Sequence, residues 1–304
     1  MKNKDNFFIL LLIFAMAIWG GNWVVSKTIA ASIPLPVIVF WRFFLTTLAF
    51  FPVMYFFKQS FKISSKGFIF ALITALFMVL YNHFFFAGLK RGFAGAGGLL
   101  VTTLNPLFTF TFTAILFKEK AKPLQFAGLA LGLTGGAILL GLWKVNSSML
   151  LKSGNFLFIL ASISWCGVTI GSNKSKNFAK PLTFSFYVYT LSTIMELIYN
   201  LPQYHLFIIF QQNFNFWIAL FYASVITTVF ATTVFMSAST KIGSNKTSSF
   251  VLLVPTTALF FSWLFLKETL EPETLIGGTF SMIAVYLINK GKSQKILKKR
   301  LVRK

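Results

Sequence analysis

Three ionisable side chains stand inside long apolar stretches, where a charge is costly and needs a partner or a cavity. Arg42 lies about 8 residues into a run over 34–57, roughly 12 Å along a helix from its start. A guanidinium there either attracts a carboxylate or other anionic group of a ligand, forms a structural ion pair with Glu196, or snorkels to the surface. Glu196 is the only acid well inside an apolar run, about 5 residues from the end of the run at 182–201. If Arg42 released it when a ligand arrived, Glu196 would be free to carry a coupling proton. A histidine can titrate near neutral pH, so His83, preceded by Tyr81 and Asn82, could relay protons, or could simply bond a neighbouring helix.

Trp19, Asn22, Trp23, Tyr187 and Tyr189 are candidates for the wall of a small-molecule pocket, since such pockets are mostly apolar and aromatic with a few placed polar groups. Pro106 and Pro255 each remove a helical hydrogen bond near the middle of a run and bend it there. They are read as a pair of hinges or as fixed kinks that shape a cavity, with Asn105 beside the first able to meet ligand or freed backbone. Gly88, Gly92, Gly95, Gly97 and Gly98, then Gly128, Gly132, Gly135 and Gly136, read as faces where helices approach closely. No nucleotide-binding loop, Gly-x-Ser-x-Gly or His-Glu-x-x-His is present, so no catalytic residue, metal or cofactor is expected. The single Cys166 excludes an intramolecular disulfide.

The elements that must position these residues follow from composition. Of 304 residues, 56% are hydrophobic and 11% charged, with a mean hydropathy of +0.76. Soluble domains carry about 25% charged residues, so an all-α integral membrane protein is expected. Apolar runs fall at roughly 7–26, 34–57, 67–89, 92–117, 123–143, 154–173, 182–201, 214–239, 247–266 and 273–289, each close to the ~20 residues that cross a bilayer as a helix. Five lie on each side of residue 148. An odd number per half forces the halves to enter the membrane in opposite orientations, as in many secondary transporters.

Two further patterns support this. With an offset of 149, Leu104, Pro106, Phe112, Lys118, Glu119, Pro123 and Gly128 recur as Leu253, Pro255, Phe261, Lys267, Glu268, Pro272 and Gly277. With the N-terminus inside, 21 of the 28 basic residues fall in inner segments, six in outer ones, and Arg42 alone within a span. That bias places both termini in the cytoplasm. It also explains the net charge of +22 without nucleic acid, because the lysines lie between apolar runs and in the tail. Ala15-Met16-Ala17 mimics a signal-peptidase site, but the apolar run continues to Val25, and Ala15, Trp19, Gly21 and Ser26 recur at an offset of 146 as Ala161, Trp165, Gly167 and Ser172. A retained first span is expected.

These residues carry a resemblance. Trp19-Gly20-Gly21-Asn22-Trp23-x-x-x-Lys27 resembles the opening of EamA-type members of the drug/metabolite transporter superfamily, and Arg42 in Trp41-Arg42-Phe43 resembles an arginine in that family's second span. The segments Pro106 to Glu119 and Pro255 to Glu268 are similar to its fourth and ninth spans, although Lys118 and Lys267 stand where a small residue often precedes the glutamate. The resemblance covers about residues 7–290 and implies ten transmembrane helices in two inverted five-helix repeats. It also implies transport of small metabolites, commonly amino acids or related compounds, often outward.

The expected organisation is a first repeat over 1–147, a second over 148–290 and a basic cytoplasmic tail over 291–304, in the plasma (inner) membrane. The expected site comprises Arg42, Trp19, Asn22, Tyr187, Tyr189 and Asn105 for substrate, Glu196 and His83 for coupling, and Pro106 and Pro255 as hinges. Partners are a small-molecule substrate and the lipid bilayer, with a homodimer left open. Uptake or exchange of a larger nucleotide-linked or methyl-donor metabolite, and a receptor or scaffold that transports nothing, are the competing readings.

Overall fold

The computed structural model describes residues 2–116, 123–140, 143, 154–202, 205–242, 247 and 250–301, and among them every regular element is helical. The first half contains α1 (Lys2–Ile29), α2 (Leu35–Phe56), α3 (Ser65–Arg91), α4 (Ala94–Leu116) and α5 (Pro123–Leu139). The second contains α6 (Gly154–Ser175) and α7 (Pro181–Asn200), then, after a 3-10 turn at Leu206–Gln211, α8, a continuous run of Phe214–Phe221, Tyr222–Ala231 and Thr232–Ile242. A short 3-10 turn at Phe250–Leu252 leads into α9 (Leu253–Leu266), and α10 is Pro272–Leu301. The Lys118-Glu119 turn and the boundary near residue 148 lie outside the described residues.

Local chemistry sets the helix starts. Pro36 opens α2 and Pro181 opens α7, where a missing N–H costs nothing. Ser64 caps α3 by accepting from the Gly67 N–H at 3.1 Å, and Asn213 caps α8 by accepting from the Phe216 N–H at 3.0 Å. Lys267 ends α9 in the left-handed conformation, φ 55°, and turns the chain back so that Glu268 is buried.

Among the described residues six helices are long and apolar enough to cross a membrane, and three shorter apolar helices accompany them at Pro123–Leu139, Phe250–Leu266 and Pro272–Ile288. This is the build of an integral membrane protein. Its halves interleave: α1 packs on α9, α6 on α4, α3 on α6 and α7, α2 on α7 and α8, α4 on α9, and α5 on α10. Burial of apolar surface gives little drive inside lipid, so these contacts depend on close fit. A Cβ on Gly277 would lie 2.6 Å from the Gly135 carbonyl oxygen, which shows how near the α5 and α10 backbones come. At the centre, Gly88 and Gly97 make room for the Phe158 ring, and Trp23 meets Phe85 and Phe158 edge-on at 4.8 and 5.7 Å.

Candidate functional site

Between the two halves lies a cavity of about 390 Å³. Its wall draws Trp19 and Asn22 from α1, Arg42 from α2, Tyr81 and Asn82 from α3, and Thr102, Asn105 and Pro106 from α4. The second half adds Trp165, Tyr189, Thr227 and Thr228, with Val251 and Val254 near the start of α9. Among the described residues Arg42 is the only charged side chain in this wall.

Arg42 is buried, 8% exposed, and its Nη1 donates to Oδ1 of Asn82 at 2.7 Å. The Asn82 amide is itself oriented, since its Nδ2 donates to the Met78 carbonyl at 2.9 Å. Phe85 and Phe86 stand 5.6 and 5.7 Å from the guanidinium carbon, close enough for cation–π attraction.

The structural ion pair weighed for Arg42 and Glu196 is not formed. Glu196 is fully buried with Oε1 at 2.7 Å from Nε2 of His83, while Nδ2 of Asn200 donates to its Oε2 at 3.2 Å. The reason is angular: His83 follows Asn82 by one residue, about 100° around an α-helix. Asn82 therefore faces the cavity and Arg42, whereas His83 faces α7. The edge of the His83 ring also meets Tyr199 at 5.8 Å.

Tyr187 and Tyr189, both expected in the wall, part company for the same reason. Tyr189 lines the cavity and stacks on Phe50 at 5.6 Å. Tyr187 lies outside it and donates its hydroxyl to the Phe61 carbonyl at 3.0 Å. Trp19 donates Nε1 to the Thr227 carbonyl at 3.1 Å and packs on Phe235 at 5.5 Å. Asn22 Oδ1 accepts from Ser26 at 3.3 Å, and Asn105 Oδ1 accepts from Thr109 at 3.1 Å. Pro106 is in the wall, while Pro255 is buried beside the wall residue Val254.

Sequence reasoning passed over Asn82, Trp165, Thr227 and Thr228 as site residues. Trp165 is legible as the residue at which Trp19 recurs with an offset of 146. The threonines sit in a π-helical stretch, Tyr222–Ala231, whose wider turn has no sequence signature of its own. There Thr228 donates to the carbonyl of Ala223, five residues back, at 2.9 Å.

A polar cluster gathers at the end of α1. The carboxylate of Glu268 accepts from the N–H groups of Ala94 and Gly95 at 2.8 and 3.0 Å, which satisfies the start of α4. Ser262 donates to the same carboxylate, and Lys27 Nζ lies 3.6 Å from its Oε1 while donating to the carbonyls of Leu89 and Gly92. The cluster ties α1, α3, α4 and the α9–α10 turn together.

A WAT1-related chloroplast protein of Arabidopsis thaliana is 26% identical over 230 residues, which is 73% of this chain but 54% of that protein, so the chain spans about half its length. A probable amino-acid metabolite efflux pump of Salmonella typhimurium is 24% identical over 298 residues, 94% of this chain and 95% of its own length. A chain of known crystal structure shares the fold with a TM-score of 0.61 at 16% identity, covering 93% of this chain and 97% of that one. The EamA-like transporter family matches residues 6–141 and again 152–290. Matched through both halves, with a cavity between membrane helices, the chain belongs to the EamA-like transporter family and is a membrane transporter.

Proposed function

We propose that the protein is a secondary transporter of small anionic or zwitterionic metabolites, amino acids or related compounds, exported by alternating access. The observation that carries this reading is the cavity between the interleaved halves with Arg42 as its one charged wall residue among those described. Its volume of about 390 Å³ lies toward the small end of the ~300–1,000 Å³ range of ligand pockets, which favours a compact metabolite over a nucleotide-linked or methyl-donor compound. The name of the Salmonella relative, an amino-acid metabolite efflux pump, points the same way.

Ten membrane crossings in two inverted repeats, 1–147 and 148–290, with a basic tail over 291–304, accommodate this mechanism. The packing supports the repeat: α1 on α9 has its counterpart in α6 on α4, and α3 on α7 has its counterpart in α8 on α2. A twofold axis relating α1–α5 to α6–α10 requires such pairs. In α7 the polar Ser192, Glu196 and Asn200 are all buried against protein, which suits a 20-residue crossing helix despite its lower apolarity.

With both termini in the cytoplasm of a plasma (inner) membrane, the wall reaches toward the cytoplasmic ends of α6, α7 and α9 at Ser172, Ser185 and Val251. The Glu268 cluster then stands at the outer end. Pro106 and Pro255 would flex as α4 and α9 exchange this shape for its inverse. The His83–Glu196 pair is the candidate coupling site, because His83 follows Asn82, the partner of Arg42, on α3.

Counterflow in proteoliposomes tests the reading, with labelled amino acids and related carboxylates as probes and Arg42→Ala beside the parent. The parent exchanges a member of the panel and Arg42→Ala, still folded, loses at least tenfold of the rate. Exchange that survives the substitution would move the site elsewhere, and absence of exchange across the panel would return the chain to the receptor or scaffold class.

A further inference from the structure

A buried arginine ordinarily keeps its charge by pairing with a carboxylate. Arg42 does not. Its protein acceptor is Oδ1 of Asn82, a neutral amide, and among the described residues no ion pair includes Arg42. The acid that could have neutralised it, Glu196, is engaged instead by His83 and Asn200. Asn82 is itself fixed by the Met78 carbonyl, so its oxygen is held toward the guanidinium. A guanidinium carries five N–H donors, and apart from the bond to Asn82 no acceptor among the described residues is assigned to the Arg42 side chain. Among the described residues the cavity thus presents one positive charge and offers a ligand ammonium neutral oxygens and aromatic faces, such as those of Asn22, Thr227 and Trp19.

We infer that the cavity selects organic monocarboxylates without a free ammonium group over zwitterionic amino acids of the same shape, and that Asn82 determines this selectivity by leaving the Arg42 charge uncancelled. The inference rests on the substrate-cavity reading above. A carboxylate bound at the buried guanidinium of Arg42 makes a charge-assisted pair, which can be bidentate. A zwitterion gains the same pair but strips water from its ammonium with no carboxylate to receive it. The aromatic wall of Trp19, Trp165, Tyr81 and Tyr189 suits an apolar body on that carboxylate.

The test is binding to the purified full chain, followed by thermal shift with a thiol-reactive dye that reports exposure of the buried Cys166 on unfolding. Two shape-matched series serve as probes: 3-phenylpropanoate, phenylalanine and phenethylamine, and 4-methylpentanoate, leucine and isopentylamine. The parent binds the carboxylate of at least one series tenfold or more tighter than its amino acid, with the amine weakest. Asn82→Asp, which sets a carboxylate against Arg42, loses that preference by tenfold or more, and Arg42→Gln loses it as well.

Amino acids that bind the parent as tightly as their des-amino partners overturn the inference, as does failure of both carboxylates to bind. A folded Asn82→Asp chain that keeps the preference removes Asn82 from its role. If that variant does not fold, the parent ranking decides the charge selection and Arg42→Gln decides its source. The outcome is separable from the transport reading: carboxylate binding without counterflow sinks transport alone, whereas counterflow of amino acids in preference to carboxylates sinks only this inference.

Discussion

Nε2 of His83 lies 2.7 Å from a carboxylate oxygen of the fully buried Glu196, and this contact joins α3 to α7. Removing the hydrogen-bond partner of a buried carboxyl group leaves that group unsatisfied, a loss of up to several kcal/mol in the worst cases. His83→Ala is expected to destabilise the protein by about 2–4 kcal/mol, because it leaves a fully buried carboxyl oxygen of Glu196 without its partner. Glu196→Gln is expected to cost about 1 kcal/mol, since an amide still meets His83 and Asn200. Thermal unfolding in detergent gives the order, and an equal loss for the two would contradict the pairing.

Glu268 makes a second test of buried charge. Its carboxylate accepts two backbone N–H groups at the start of α4 and a hydroxyl from Ser262. Glu268→Ala is expected to cost about 2–4 kcal/mol and Glu268→Gln about half of that, because the amide retains one acceptor oxygen. As the site is buried, the loss should change little between low and high salt, a comparison made by unfolding at both.

The residue before it carries backbone strain. Lys267 holds φ 55°, where a side chain is disfavoured and glycine is not. Lys267→Gly is expected to raise stability by about 0.5–1 kcal/mol and to move the melting temperature upward. No gain, with the turn unchanged, would mean that the lysine side chain compensates the strain.

Two glycines should answer differently to an added methyl. In α10 a Cβ at Gly277 meets backbone, the Gly135 carbonyl at 2.6 Å and the Leu139 nitrogen at 2.6 Å, and backbone cannot yield without separating the helices. Gly277→Ala is expected to cost about 1–3 kcal/mol. At Gly136 the nearest atom is Cδ2 of Leu104 at 3.4 Å, an ordinary contact. Gly136→Ala is expected to be neutral or to gain up to about 1 kcal/mol of helix propensity. Melting curves of the two variants side by side check the contrast.

The two tyrosines of α7 separate site from scaffold. Tyr187→Phe removes a bond to the Phe61 carbonyl outside the cavity and should leave counterflow within about twofold of the parent. Tyr189→Ala opens the wall beside Arg42 and should lower counterflow at least tenfold. Equal effects would mean that the wall is drawn wrongly at α7.

Much of this protein is legible in its chain because membrane physics reads composition almost directly. A mean hydropathy of +0.76 and apolar runs broken by lysines require helices that satisfy their own backbone. The duplicated Leu-Pro-Phe-Lys-Glu-Pro-Gly pattern and the Trp19 motif carry the family, and Arg42 and Asn105 announce themselves as polar groups where lipid forbids them.

Which polar group meets which is another matter, because it depends on rotation about each helix axis and on packing across residues far apart in the chain. Arg42 and Glu196 invite pairing by charge and depth, yet α3 presents Asn82 to one and His83 to the other. Tyr187 and Tyr189 look equivalent in sequence and face opposite ways. The π-helical turn that brings Thr227 and Thr228 into the wall shifts the register of α8 with no mark in its residues. The chain alone determines that a charge lies in the membrane; only the packed bundle decides that it meets Asn82 and not Glu196, and that it faces a cavity.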